Sequence, residues 1–214
     1  MWTRHRWPLL GLLGWVVPWF VFVRLAREVW EGEGLPGDRF LRELLHAHHG
    51  PEQDKVAFWL AWLGGPIGAS VLAIVVAFGV WWALHRRATV FFGLAVVGAE
   101  MLNLAAKHFV PRSRPLPWID LALQTAYSFP SGHSMAAAAL GTALAFLLWP
   151  TRWRWAGLVL GLAWALGMGW SRVYLGVHYP SDVLAGWVGS VGWVSGLHLL
   201  FQHQLRAMRA AFTR

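Results

Sequence analysis

The chain has 214 residues, of which 57% are hydrophobic and 13% charged. Soluble domains carry about a quarter charged residues and cannot hide so much apolar surface, so composition excludes an ordinary water-soluble enzyme and indicates one integral membrane domain over residues 1–214. The lack of cysteine excludes disulfides and thiolate chemistry, and the formal net charge of +8 fits cytoplasmic loops and anionic headgroups or substrates, with no nucleic-acid partner needed.

A helix needs about 20 mostly apolar residues to cross a bilayer. Six stretches qualify, at 7–23, 56–84, 88–107, 131–149, 155–170 and 180–200, and the expected fold is all-α, six transmembrane helices in one bundle. The first follows Arg4 and Arg6, as the core of a signal peptide would, but no clear small-residue cleavage site comes after it; it reads as an uncleaved span. Residues 24–55 form a polar loop of mixed charge, in which Phe40, Leu41, Leu44 and Leu45 recur at helical spacing. That pattern predicts a helix lying on the membrane surface. His46, His48 and His49 lack the Cys or carboxylate spacing of a metal site and belong to the same solvated segment. The second span is long, with Gly64-Gly65-Pro66 near its start, and "HRR" at 85–87 separates it from the third, which contains Glu100 and Asn103. The Ala-rich run 135–145 in the fourth span permits close helix packing. Seventeen Trp suit aromatic belts at both interfaces.

Six spans put the N-terminus, residues 85–87 and 151–154, and the C-terminal tail on one side. That side carries nine Arg and no acid, and the other side also carries nine Lys and Arg. Three of the latter look functional, which breaks the tie: both termini are expected in the cytoplasm, and the opposite side faces the periplasm or exterior.

Three polar clusters share that opposite side. Lys107 ends the third span, and Arg114-Pro115 follow after six residues. Pro130-Ser131-Gly132-His133 opens the fourth span. Ser171, Arg172, His178 and Asp182 bridge the fifth and sixth. Each alone has an ordinary reading: a snorkelling cation, a helix cap, an interfacial histidine. Together they suit the handling of phosphate. Lys107, Arg114 and Arg172 can surround one anion, with the Arg forks matching phosphate oxygens. Gly132 lets the backbone approach, the free N–H groups at the start of the fourth span favour an anion, and Ser131 adds a hydroxyl. Such a cradle stabilises a phosphoryl-transfer transition state. Pro180 suits the first position of a helix, so Asp182 falls in its first turn and can reach one ring nitrogen of His178. The other nitrogen is then available as nucleophile, and His133 can protonate the leaving oxygen. No metal or other cofactor is required.

The spacings Lys107-x6-Arg114-Pro115, Pro130-Ser131-Gly132-His133 and Ser171-Arg172-x5-His178-x3-Asp182 resemble the three signature motifs of the type 2 phosphatidic acid phosphatase family, complete and in order across 107–182. The family also includes soluble vanadium-dependent haloperoxidases, and the hydrophobic spans favour its lipid phosphatase branch. The resemblance implies that His178 forms a phosphohistidine, that Asp182 orients it, that His133 serves the leaving group, and that Lys107, Arg114, Ser131, Gly132 and Arg172 bind phosphate. It also implies a lipid phosphate substrate met in the bilayer: undecaprenyl pyrophosphate, phosphatidylglycerol phosphate or phosphatidic acid. A lipid-to-lipid phosphotransferase and a non-catalytic binder or transporter of phospholipids are the alternatives. Outside the motifs, Glu100 lies two turns from Lys107 and either supports it, lines the cavity or contacts another helix; Asn103 can join that network. Arg112, Ser113 and Asp120 lie in the loop beside the site, where solvent exposure is expected and contact with a headgroup is the alternative. Tyr174 and Tyr179 are expected to pack or to lie at the interface.

Overall fold

The computed structural model describes residues 6–32, 34–115 and 127–212, so that Arg4, Asp120 and Arg214 lie outside it. Seven helices and no strand occur among the described residues: α1 (Arg6–Trp30), α2 (Gly37–Ala47), α3 (Pro51–Leu63), α4 (Pro66–Phe109), α5 (Gly132–Leu148), α6 (Arg154–Tyr174) and α7 (Pro180–Phe212). The boundaries have local causes. Pro51, Pro66 and Pro180 each open a helix, where a missing N–H costs nothing. Ser131 caps α5 by accepting the Ser134 N–H. Gly176, at φ 73°, follows α6 and donates to the Val173 carbonyl.

The long second span is broken. Gly65 is extended (φ −68°, ψ 170°) before Pro66, as the proline ring demands, so α3 stops at Leu63 and α4 begins anew. The expected loop at 85–87 contracts to one residue, His85, whose backbone (φ 66°, ψ 177°) interrupts the 44-residue α4. Leu72 and Ala73 before the break line the same small cavity as Val96 after it. In a straight helix Ala73 and Val96 would be about 35 Å apart, so α4 folds back on itself at His85.

Among the described residues, three helices are long and apolar enough to cross a membrane: Pro66–Phe109, Arg154–Tyr174 and Pro180–Gln202; the apolar α5 is shorter. The chain is a membrane protein. Ile67, Ile74, Phe78 and Trp82 on α4 point outward, a surface fit for lipid rather than water. The core runs through the middle of the bundle, where Phe91, Phe92 and Ala95 of α4 meet Met135, Ala139 and Ala143 of α5 and Val194 of α7. The small residues of 135–145 set how near α6 comes to α5: a Cβ on Gly141 would lie 2.7 Å from the Gly161 carbonyl oxygen. The end of α4 and the starts of α5 and α7 are thereby brought to one end of the bundle, with the end of α6.

Candidate active site

The three motifs meet at that end. Lys107, on the last turn of α4, donates from Nζ to the carbonyls of Tyr127 (2.6 Å) and Pro130 (2.9 Å). Asn103, one turn earlier and buried, donates to the same Pro130 oxygen at 3.1 Å. Both side chains thus hold the turn that leads into α5. Gly132 packs so near Asn103 that a Cβ there would lie 3.1 Å from Oδ1. The Ser131 N–H donates to the Asp182 carbonyl at 3.0 Å, joining this turn to α7. Ser131 Oγ accepts from the Ser134 hydroxyl at 3.0 Å, which leaves its own proton to donate.

His178 and Asp182 are both buried, at 2% and 0% exposure. His178 Nδ1 is 3.3 Å from Asp182 Oδ2, and Nε2 is 2.9 Å from Arg114 Nη1. A carboxylate only accepts and a guanidinium only donates. These partners therefore assign the proton to Nδ1 and the lone pair to Nε2. Burial pushes the His178 imidazole down to about 4 despite the opposing pull of Asp182, with Arg114 and Lys107 adding to the depression. The ring is neutral at pH 7.

Arg172, on the last turn of α6, is 2% exposed. Its Nε donates to Ser171 Oγ at 3.3 Å, and that hydroxyl is itself anchored on the Met168 carbonyl at 2.8 Å. Arg172 Nη2 is buried with no hydrogen-bond partner among the described residues. Arg114 lies near enough to repel both Lys107 and Arg172. Three cations converge with a buried donor unspent, an arrangement that favours an anion between them. His133 follows Gly132 on α5, hydrogen-bonds the Ala61 backbone, and feels the charges of Arg172, His178 and Arg114. Gly64, at the α3–α4 break, lies beneath both Met168 and the His133 ring: a Cβ there would clash with Met168 Cε and fall 3.2 Å from His133 Cδ2. A cavity of about 1150 Å³ among α1, α5, α6 and α7 contains none of these side chains.

Glu100 is exposed on α4 and makes no hydrogen bond to Lys107, whose ammonium turns toward the α5 turn; the Glu100 charge still acts favourably on Lys107. One expectation changes: Arg112 is not in solvent. Its side chain is 15% exposed, donates to Asp182 Oδ1 at 2.7 Å and to Asp38 Oδ2 at 2.9 Å, and lies over the Tyr179 ring at 3.9 Å. Ser113 offers its carbonyl to the Ser128 hydroxyl. Tyr174 holds the start of α3, donating to Asp54 Oδ1 at 2.6 Å. Asp38 and Ser181 also join the site, and no motif spacing signals Asp38, which lies far upstream in the polar loop.

Residues 88–206 match the PAP2 superfamily. The chain is 34% identical over 118 residues to the undecaprenyl-diphosphatase of Sulfolobus acidocaldarius, covering 52% of this chain and 54% of that protein. It is 33% identical over 129 residues to the phosphatidylglycerophosphatase B of Bacillus subtilis, covering 56% of this chain and 63% of that one. These alignments span less than two thirds of either relative. The fold resembles the crystal structure of a transmembrane PAP2-type phosphatidylglycerolphosphate phosphatase from Bacillus subtilis, with a TM-score of 0.77 over 90% of this chain and 97% of that one at 24% identity.

Proposed function

This chain belongs to the PAP2 superfamily, and we propose that it is a membrane-embedded phosphatase that removes the terminal phosphate of a lipid phosphate or pyrophosphate through a phosphohistidine. The observation that carries the mechanism is the opposed pair of partners on His178, a carboxylate on Nδ1 and a guanidinium on Nε2. Asp182 holds the tautomer. A phosphate entering among Arg114, Arg172 and Lys107 competes for the Arg114 donors and frees the Nε2 lone pair. Nε2 attacks phosphorus in line, a P–N bond forms, and the bond from phosphorus to the lipid-side oxygen breaks. His133, which takes up a second proton as the phosphate anion enters beside it, gives that oxygen this proton and becomes neutral. Water then attacks phosphorus, His133 takes a proton from it, the P–N bond breaks, and phosphate leaves with His178 neutral again. Arg172 Nη2, Ser131 Oγ and the first N–H groups of α5 face the charge that grows on the phosphoryl oxygens.

The names of the relatives favour undecaprenyl pyrophosphate and phosphatidylglycerol phosphate as substrates, with phosphatidic acid as a third. We infer six crossings, made by α1, the two halves of α4, α5, α6 and α7, with both termini cytoplasmic and the site at the outer surface. There α2, with Phe40, Leu41 and Leu44 exposed, lies on the headgroup boundary.

The test is phosphate release by the purified protein in detergent, with a chelator present, from all three lipids beside His178→Ala. Release by the wild type that the variant lacks supports the reading. Equal release by the variant, or none from any lipid, refutes it. Phosphate found on an added lipid alcohol instead of in water makes the chain a transferase.

A further inference from the structure

Asp38 lies on an otherwise exposed helix yet is only 5% exposed itself. Four donors converge on its carboxylate. The Ser181 N–H reaches Oδ1 at 2.8 Å, while Oδ2 accepts from the Ser181 hydroxyl (2.6 Å), Arg112 Nη2 (2.9 Å) and the Leu35 N–H (3.2 Å). Arg112 spreads its fork between two acids, with Nη1 on Asp182 Oδ1 and Ser181 Oγ and Nη2 on Asp38. The chain closes tightly over this fork. Gly34 adopts φ +63°, and a Cβ there would lie 2.7 Å from Arg112 Nη2, so no other residue fits without displacing the guanidinium.

The consequence falls on Asp182. With Oδ1 held by Arg112 and Oδ2 by the Tyr179 N–H at 3.0 Å, the carboxylate plane is fixed and only Oδ2 is presented to His178. Asp38 holds the other arm of the fork and so fixes how Arg112 meets Asp182, while Arg114 is the cation at Nε2. Resting on the phosphatase reading above, we propose that Asp38 and Arg112 are positioning residues that act through Asp182 to orient His178, so that a helix of the polar loop, α2, completes the catalytic machinery.

The test uses the full chain in detergent. D38N, D38E, R112Q, R112K and D38N/R112Q are assayed for phosphate release from dioleoyl phosphatidic acid, and the His178 ring nitrogens are followed by ¹⁵N NMR, assigned by their loss in H178N. Misplacing a reacting group by about 1 Å costs on the order of 100-fold. The expected result is a kcat loss approaching that in D38N and R112Q, with KM unchanged and the Nδ1–H signature altered. D38E and R112K recover part of the loss, and the double variant is no worse than R112Q, as for residues acting as one unit. Three results overturn the proposal: a raised KM with kcat intact, which makes Arg112 a phosphate ligand; additive losses; or wild-type turnover with an unchanged spectrum. If D38N or R112Q does not fold, D38E and R112K carry the same comparison. If the wild type releases no phosphate, the phosphatase reading fails, and the spectrum alone decides this one.

Discussion

The two ring nitrogens of His178 face opposite chemistry, and that asymmetry yields two predictions. The first concerns stability. Burial depresses the folded-state value from the ordinary 6.5 to about 4, so between those values the unfolded chain binds the extra proton and the folded chain does not. The contribution of this group is complete above pH 6.5 and is withdrawn as pH falls toward 4. Thermal unfolding in detergent should lose more between pH 7 and 5 in the wild type than in His178→Asn, which has no ring to protonate; equal losses refute the assignment. The second concerns the leaving group. His133→Ala should lower kcat on lipid substrates by about 10²–10⁴-fold. It should cost much less with p-nitrophenyl phosphate, whose phenolate leaves without a proton. A uniform loss on both substrates would place His133 in the hydrolysis of the phosphohistidine and take it away from the leaving group.

Helices α4 and α5 show how small residues and backbone breaks place these groups. The interruption at Gly64-Gly65-Pro66 lets Met168, with His133 beside it, pack against the break, and the single non-helical residue His85 folds α4 back, so that its second half delivers Asn103 and Lys107 to the α5 turn. Helix α5 packs along α6 through Gly141 and Gly161, whose backbones are too close for a side chain. Gly141→Leu should therefore destabilise the protein by about 1–3 kcal/mol, read as a lower midpoint of thermal unfolding. Activity should fall as well, because the α5–α6 spacing sets where His133 stands relative to Arg172. A variant as stable as wild type would show that the helices do not meet there.

For the molecule as a whole, the proposed topology of six crossings predicts which segments face which solution. The chain has no cysteine, so single cysteines report cleanly. Introduced at Glu52, just past α2, and at Arg152, between α5 and α6, they should react with a membrane-impermeant maleimide from opposite sides of the membrane in oriented vesicles. Glu52 should label from outside and Arg152 only after the membrane is opened. Labelling of both from one side would refute the crossing count, and the reverse pattern would invert the orientation. Charge cannot decide this, since the two sides carry equal numbers of Lys and Arg.

The membrane class, the all-helical fold and the constellation Lys107, Arg114, Ser131, Gly132, His133, Arg172, His178 and Asp182 were legible in the residues alone, because apolar length and short-range motif spacing are local properties. Pro180 opens α7 two residues after His178, so Asp182 in its first turn comes within reach of that ring. The break before Pro66 was written in the sequence as Gly-Gly-Pro, though the apolar run concealed it. Three things depended on the folded chain. The reversal at 85–87 was expected, but its contraction to the single non-helical residue His85 follows from a backbone conformation that hydropathy does not encode. The lone-pair assignment on His178 needs Arg114, 64 residues away in the chain. Asp38 carries no motif at all and is brought against Arg112 and Ser181 only by the packing of α2 on α7. A buried charge must find its partner wherever the fold presents one, and sequence distance is silent on that.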